Sequence, residues 1–299
     1  NTTGGSSVAV GNNALDAQTT GNFNTAVGLN ALTANTTASQ NTAVGNHALE
    51  SNTTAASNTA VGSFALRVNT TGAYNVAVGT KALDANTEGD QNVAIGYDAM
   101  GVHTTGDYNV AIGGYALDAN TSASSNTAVG YNSMSANVTG AGNTALGSGA
   151  LVLNTASNNV AVGIDSLAAN TTGTPNTALG RLALYSNTTA ANNVAVGNSS
   201  LQVNTTGAQN TAVGTSALDA NTTASNSNAF GYNALGANTT GAHNNAFGYG
   251  ALDANTTAAH NCAFGHDTLG ATSTGAQNTA IGNYAAQLVT TGTGNVAIG

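Results

Sequence analysis

Twelve carboxylates, five histidines, nine tyrosines and one cysteine carry most of the acid–base, metal-binding and nucleophilic capacity of these 299 residues. Glu50, Asp84, Asp118, Asp219 and Asp253 are among the acids that directly follow a leucine or its equivalent in a repeating pattern. A line of like charges recurring once per repeat has neither the concavity nor the facing partner that a glycosidase carboxylate pair needs. His260 and His266 flank Cys262 and Asp267, a grouping of metal-ligand types. Cys262, however, occupies a column otherwise held by Thr or Val in the middle of an expected strand, where it reads as a small hydrophobe pointing inward. His47, His103 and His243 are the other histidines to check. No nucleophile elbow, phosphate loop or calcium nonapeptide occurs. The expectation is a chain with no catalytic, cofactor-binding or metal-binding residues, and so no enzyme.

The pattern behind these residues is a repeat that closes on glycine, as in Asn24-Thr25-Ala26-Val27-Gly28, and returns to Gly299. The glycines fall 17 residues apart, except for one interval of 16 between Gly147 and Gly163. Such regularity means one structural unit copied along an axis, each copy contacting mainly its neighbours. The expectation for residues 1–299 is therefore a single continuous array of about 17 coils, shortened by one residue at 148–163, with no separate globular domain. Numbering the repeat so that this glycine is position five gives Asn, Thr/Val, Ala, Val/Ile/Leu/Phe, Gly, two variable residues, Ala, Leu, a variable residue, Ala/Val, Asn, Thr, Thr, Gly/Ala and two variable residues.

Two short apolar runs per repeat are too short for stable helices and too close to turn residues, so both are predicted as strands of a parallel β-solenoid. In the first run, as Val76-Ala77-Val78 shows, consecutive small or apolar residues imply burial of both faces. One face fills the coil and the other needs a cover, most simply the same strand of other copies around an axis. This predicts a homo-oligomer, with three chains the preferred number. In the second run a leucine column from Leu15 to Leu269, replaced only by Met100 and Met134, forms a longitudinal spine. Phe230, Phe247 and Phe264 succeed one another where Val is usual, and are expected to thicken the core with rings stacked about 4.8 Å apart.

Gly28, Gly45, Gly62 and their counterparts never vary, which predicts a positive φ or a close backbone approach. Asn recurs at position one (Asn24, Asn41) and position twelve (Asn35, Asn52), where stacked carboxamides are expected to form ladders and to satisfy turn backbone. Position twelve also opens Asn-x-Thr sequons at Asn35, Asn52 and Asn69, which would be glycosylation sites in a secreted eukaryotic chain and turn residues otherwise. Adjacent Thr-Thr pairs invite comparison with ice-binding solenoids, but neighbouring side chains diverge, whereas an ice face wants two parallel hydroxyl columns. Tyr97, Tyr131, Tyr232 and Tyr249 follow the glycine on a solvent edge, as packed surface rings or as contacts for sugars or a receptor.

Charged residues make up 5% and the net charge is -9, so no basic stripe exists for nucleic acid or an anionic membrane surface. No stretch reaches the roughly 18 apolar residues of a membrane helix. The chain starts at Asn1, and both ends lie within the repeat, so open coil edges are expected to be continued by more chain or to stack end to end into a filament.

The Asn/Ser-x-Ala-Val/Ile-Gly-x-x-Ala core resembles the head repeats of trimeric autotransporter adhesins. The longer Asn-Thr-Ala-Val-Gly-x-x-Ala-Leu-x-x-Asn-Thr-Thr-Gly form resembles repeats of phage tail fibres. The resemblance implies a left-handed β-roll of two short strands per coil, three chains side by side. It also implies a structural or adhesive fibre segment, extracellular on a cell surface or virion, with a host-surface receptor or glycan as a possible partner. A carbohydrate- or receptor-binding module and an ice-binding solenoid are the alternatives.

Overall fold

The computed structural model describes residues 4–299. It is all-β, a parallel β-solenoid of about 17 turns, with no helix among the described residues. Contacts divide the chain into two compact units, the first ending at Ser148 and the second spanning Gly149–Gly299. The division falls inside the 16-residue repeat. The first unit holds nine strands, from β1 (Val8–Val10) and β2 (Thr25–Val27) to β9 (Thr144–Leu146). The second holds nine more, from β10 (Val160–Val162) to β18 (Val296–Ile298). Within each unit successive strands pair in parallel with Ala on Ala, as Ala26 on Ala43 and Ala229 on Ala246.

Each strand is positions two to four, and the alternation of a strand decides its faces. The alanine at position three is fully buried (Ala26, Ala43, Ala60), so positions two and four point outward. The strand ends at the invariant glycine, whose φ lies between 125° and 144° throughout the described residues. A Cβ on Gly62 would stand 2.5 Å from the carbonyl oxygen of Gly79 in the next coil. Both expected reasons for glycine hold together here.

The second apolar run is not a strand. Position seven (Asn30, φ 56°) and position nine (Leu32, φ 52°) are both left-handed, which curls the backbone instead of extending it. A left-handed non-glycine residue costs about 1–2 kcal/mol. Two things offset that here. The curled segment still bonds coil to coil, with Leu32 N donating to Ala48 O at 3.0 Å and Ala34 N to Glu50 O at 3.0 Å. The leucine is also completely buried, worth about 1.5–3 kcal/mol. The spine expected from the leucine column is therefore present, carried on turns.

In the second unit the shortened repeat keeps its ladder. Asn154 donates to Ala156 O, two residues on, where Asn170 reaches Gly173 O, three residues on. The missing residue is absorbed in that turn, and Asn170 Nδ2 still donates to Asn154 Oδ1 at 2.7 Å.

Candidate functional site

The asparagine columns lie inside the coil, not on its turns. Asn24, Asn35, Asn41 and Asn52 are each at most 1% exposed. At position one, Asn41 N donates to Asn24 Oδ1 (3.0 Å) and Asn41 Nδ2 to Ala55 O (2.9 Å). At position twelve, Asn52 Nδ2 donates to Asn35 Oδ1 (3.1 Å) and to the same Ala55 O (3.0 Å). Two buried ladders thus converge on one carbonyl per coil. This geometry bears directly on the sequons: the Nδ2 of Asn35, Asn52 and Asn69 that a glycan would occupy is buried and already donating. A sugar attached there before folding would keep the coil from closing.

The ladder is interrupted at several coils, among them the one where Thr272 takes position twelve and Asn255 Oδ1 is left without a donor. In another, His103 takes position twelve, fully buried, with Nε2 2.8 Å from Gly106 O, and Asn86 Oδ1 is left without a donor. Burial pushes the His103 pKa below its ordinary value. An unfolded chain then binds the proton first, so stability falls as pH drops below about 6.5. We expect His103→Asn to raise stability at pH 7 by about 1–3 kcal/mol, the cost of an orphaned buried acceptor. The same variant should remove the loss that the parent suffers between pH 6.5 and 5. Hydrogen-exchange protection factors of the amides around His103 at both pH values check this, and an unchanged pH dependence would count against it.

The outer face of the sheet carries positions two and four. In the first unit it runs from Val8 and Val10 to Thr144 and Leu146 without a charged residue, and in the second from Val160 and Val162 to Val296 and Ile298, again without one. Many of its side chains stay over a third exposed, among them Val44, Val61, Ile95 and Ile112. Phe230, Phe247 and Phe264 stack as expected, with centroids 4.8 and 4.5 Å apart and planes within 6°. They lie on this outer face and not in the core, because position four alternates outward from the buried alanine; Phe264 is 41% exposed. Cys262 faces the same way for the same reason, half-buried beside Asn245 and Thr279, and burial raises its thiol pKa. The expectation that it points inward is corrected. His260 stacks on His243 at 4.9 Å, while His266 stacks on Tyr249 at 5.0 Å and lies 3.4 Å from Asp267. No group of three or more metal-ligating side chains forms among the described residues.

Tyr232, Tyr249 and His266 make another column of parallel rings, 5.1 and 5.0 Å apart. Rings stacked in this way cover each other's faces and offer edges outward, a poor surface for the face-on contact that sugars make. Tyr97 and Tyr131 behave differently: Tyr115 meets both edge-to-face, at 5.4 and 6.0 Å. Sequence reasoning missed this cluster, although Gly114 between the two tyrosines at position six was its signal.

Asp84, Asp118, Asp219 and Asp253, which follow the leucine, are half-buried, and burial raises their pKa. At Asp84 burial outweighs Arg67, whose Nε lies 3.0 Å from Oδ1. Asp253 and Asp267 border a shallow groove with Gly270, Ala271, Gln287 and Leu288. Of the threonine pairs, Thr36 donates to Thr53 O while Thr37 is exposed, so their hydroxyls diverge.

No family model and no curated protein matches this chain. No helix among the described residues is long and apolar enough to cross a membrane.

Proposed function

We propose that this chain is a non-catalytic, structural or adhesive segment of an extracellular fibre, a surface adhesin or a tail-fibre shaft on a cell surface or virion. Copies pack through the sheet face of positions two and four, three around an axis, each a left-handed β-roll. The observation that carries this reading is that face: free of charge in a chain of net charge -9, and lined with Val, Ile, Leu, Phe and Thr, with Asn228, Asn245 and Cys262 at position two beside the phenylalanines. Acids stand at positions seven, ten, fourteen and sixteen, outside the face, so two such faces meet without like charges on them. Another copy also matches the face in repeat spacing, coil for coil. The repeats' resemblance to adhesin heads and tail fibres favours three chains, and end-to-end stacking into a filament is a second mode of self-association open to stacked coils. A host-surface receptor or glycan would be met by side chains outside this face.

Light scattering on the size-fractionated protein tests the reading against 28.9 kDa for one chain. A mass three times this value is expected, and a stable monomer would overturn the packing. Cys262 supplies an internal probe, since it lies on the proposed interface. Its alkylation by a maleimide should be at least tenfold slower in the assembled protein than in a Phe247→Asp variant, in which a buried charge opposes assembly. Equal rates at different masses would place the interface elsewhere.

A further inference from the structure

Three successive strands of the second unit, Asn228–Phe230, Asn245–Phe247 and Cys262–Phe264, depart from the rest of the outer face in both of its columns. Position four is Phe in all three, where every other strand of the unit has Val, Ile or Leu. Position two is Asn, Asn and Cys, where the others have Thr or Val. The rings cover each other's faces and turn their edges outward. Asn228 Nδ2 donates to Asn245 Oδ1 at 2.8 Å, which leaves Asn228 Oδ1 and the Asn245 side-chain N–H groups without a partner among the described residues. Water satisfies such groups on an open face. On a covered face they need another partner.

Elsewhere the face is nearly degenerate, because it repeats at the strand spacing of about 4.8 Å. A second copy slid by one coil would still cover eight of the nine strands of this unit. Register is weakly specified by such a surface. A constant offset from copy to copy also fails to close around an axis and continues as an open, staggered array. The three unusual strands discriminate between offsets. With copies level, rings meet rings, a contact that aromatic pairs favour, and carboxamides meet carboxamides, which both donate and accept. Slid by three coils in either direction, no ring meets a ring, and Asn245 comes to the level of Val194 or Val296, which offer it no hydrogen bond. A buried asparagine sets the register of paired helices in the same way.

We infer that Asn228, Asn245, Phe230, Phe247 and Phe264 fix the offset at which copies of this chain pack, holding them level so that the assembly closes. The inference rests on the packing of copies through this face. Its test places a nitroxide on Thr240→Cys, an exposed site outside the face, in whole protein that also carries Cys262→Thr, and measures label-to-label distances between copies. One narrow distance is expected. The comparison variant adds Phe230→Val, Phe247→Val, Phe264→Val, Asn228→Thr and Asn245→Thr. Its three strands then match Thr211–Val213, so the coils are kept. Copies of this variant should stay together while the distances spread to larger values, each coil of offset adding about 4.8 Å along the axis. Asn228→Thr with Asn245→Thr alone should give a smaller spread. A light-scattering mass of one chain for the labelled parent would overturn the packing itself. An assembled mass with the same narrow distance in parent and variant would leave the packing standing and overturn the assignment of register, as would a spread already present in the parent.

Discussion

Gly62→Ala is expected to cost about 3–5 kcal/mol and to open its coil locally. Two effects add. The native φ of 137° belongs to a region essentially reserved for glycine, worth about 1–3 kcal/mol against any other residue. The new methyl would also meet the Gly79 carbonyl at 2.5 Å for oxygen and 2.6 Å for carbon, and a backbone group bonded into the next coil cannot swing away. Forcing volume into such a contact costs about 1–3 kcal/mol more. Gly114→Ala is the matched control, with an ordinary φ and no contact under 3.6 Å, and should stay within about 0.5 kcal/mol. Hydrogen exchange suits the comparison, because repeat arrays open locally and one global unfolding energy is poorly defined for them. Amides of the coils on either side of Gly62 should lose protection by at least a hundredfold; protection equal to that of Gly114→Ala would show that the coil can shift to admit a side chain.

The second large effect lies in the buried ladder. Asn69 Nδ2 donates to Gly72 O at 2.8 Å and to Asn52 Oδ1 at 3.0 Å, while its Oδ1 accepts from Asn86 Nδ2 at 2.8 Å. Asn69→Leu is close in volume, so it leaves little cavity and isolates the hydrogen bonds. Gly72 O keeps one donor, Asn58 Nδ2 at 2.9 Å, and Asn86 Nδ2 keeps Gly89 O at 3.1 Å, but Asn52 Oδ1 loses its donor and one N–H of Asn86 its acceptor in a dry interior. At about 1–3 kcal/mol for each orphaned group the variant should lose about 3–5 kcal/mol. Hydrogen-exchange protection of the amides in the coils of Asn52, Asn69 and Asn86, parent against variant, gives the number. A loss under 1 kcal/mol would show that water enters the coil and replaces the carboxamide.

Much of this architecture could be read from letters and spacing. The period, the parallel ladder, the constraint at position five and the leucine spine all follow from columns that hardly vary. What escaped reading has a common cause. Three consecutive small or apolar residues, such as Val76-Ala77-Val78, carry no polar contrast to say which of them turns inward. Cys262 and the three phenylalanines were therefore assigned to the interior on residue type, although alanine is the one that fits the narrow coil. The left-handed turn is half legible: position seven holds Asn30, Asn132, Asp98 and Asp267, residues that tolerate that conformation, and Gly149 and Gly250 besides. Position nine holds leucine, which gives no such sign, and burial overrides its local preference. The asparagines were read as turn residues because they usually are. In a coil too thin for a second layer of hydrocarbon, carboxamides in register serve as the filling.

Within each unit most hydrogen bonds join one coil to the next, and this fixes how the structure would respond to tension. Pulled from one end, a unit presents a single outermost coil whose neighbours still bond only to their own neighbours. Extension should therefore proceed as a series of near-identical ruptures, each freeing 17 residues, or about 55–60 Å of contour at full stretch. Each break would spare the coils behind it, so the chain would dissipate load in small instalments and rewind by the same steps when the load is removed.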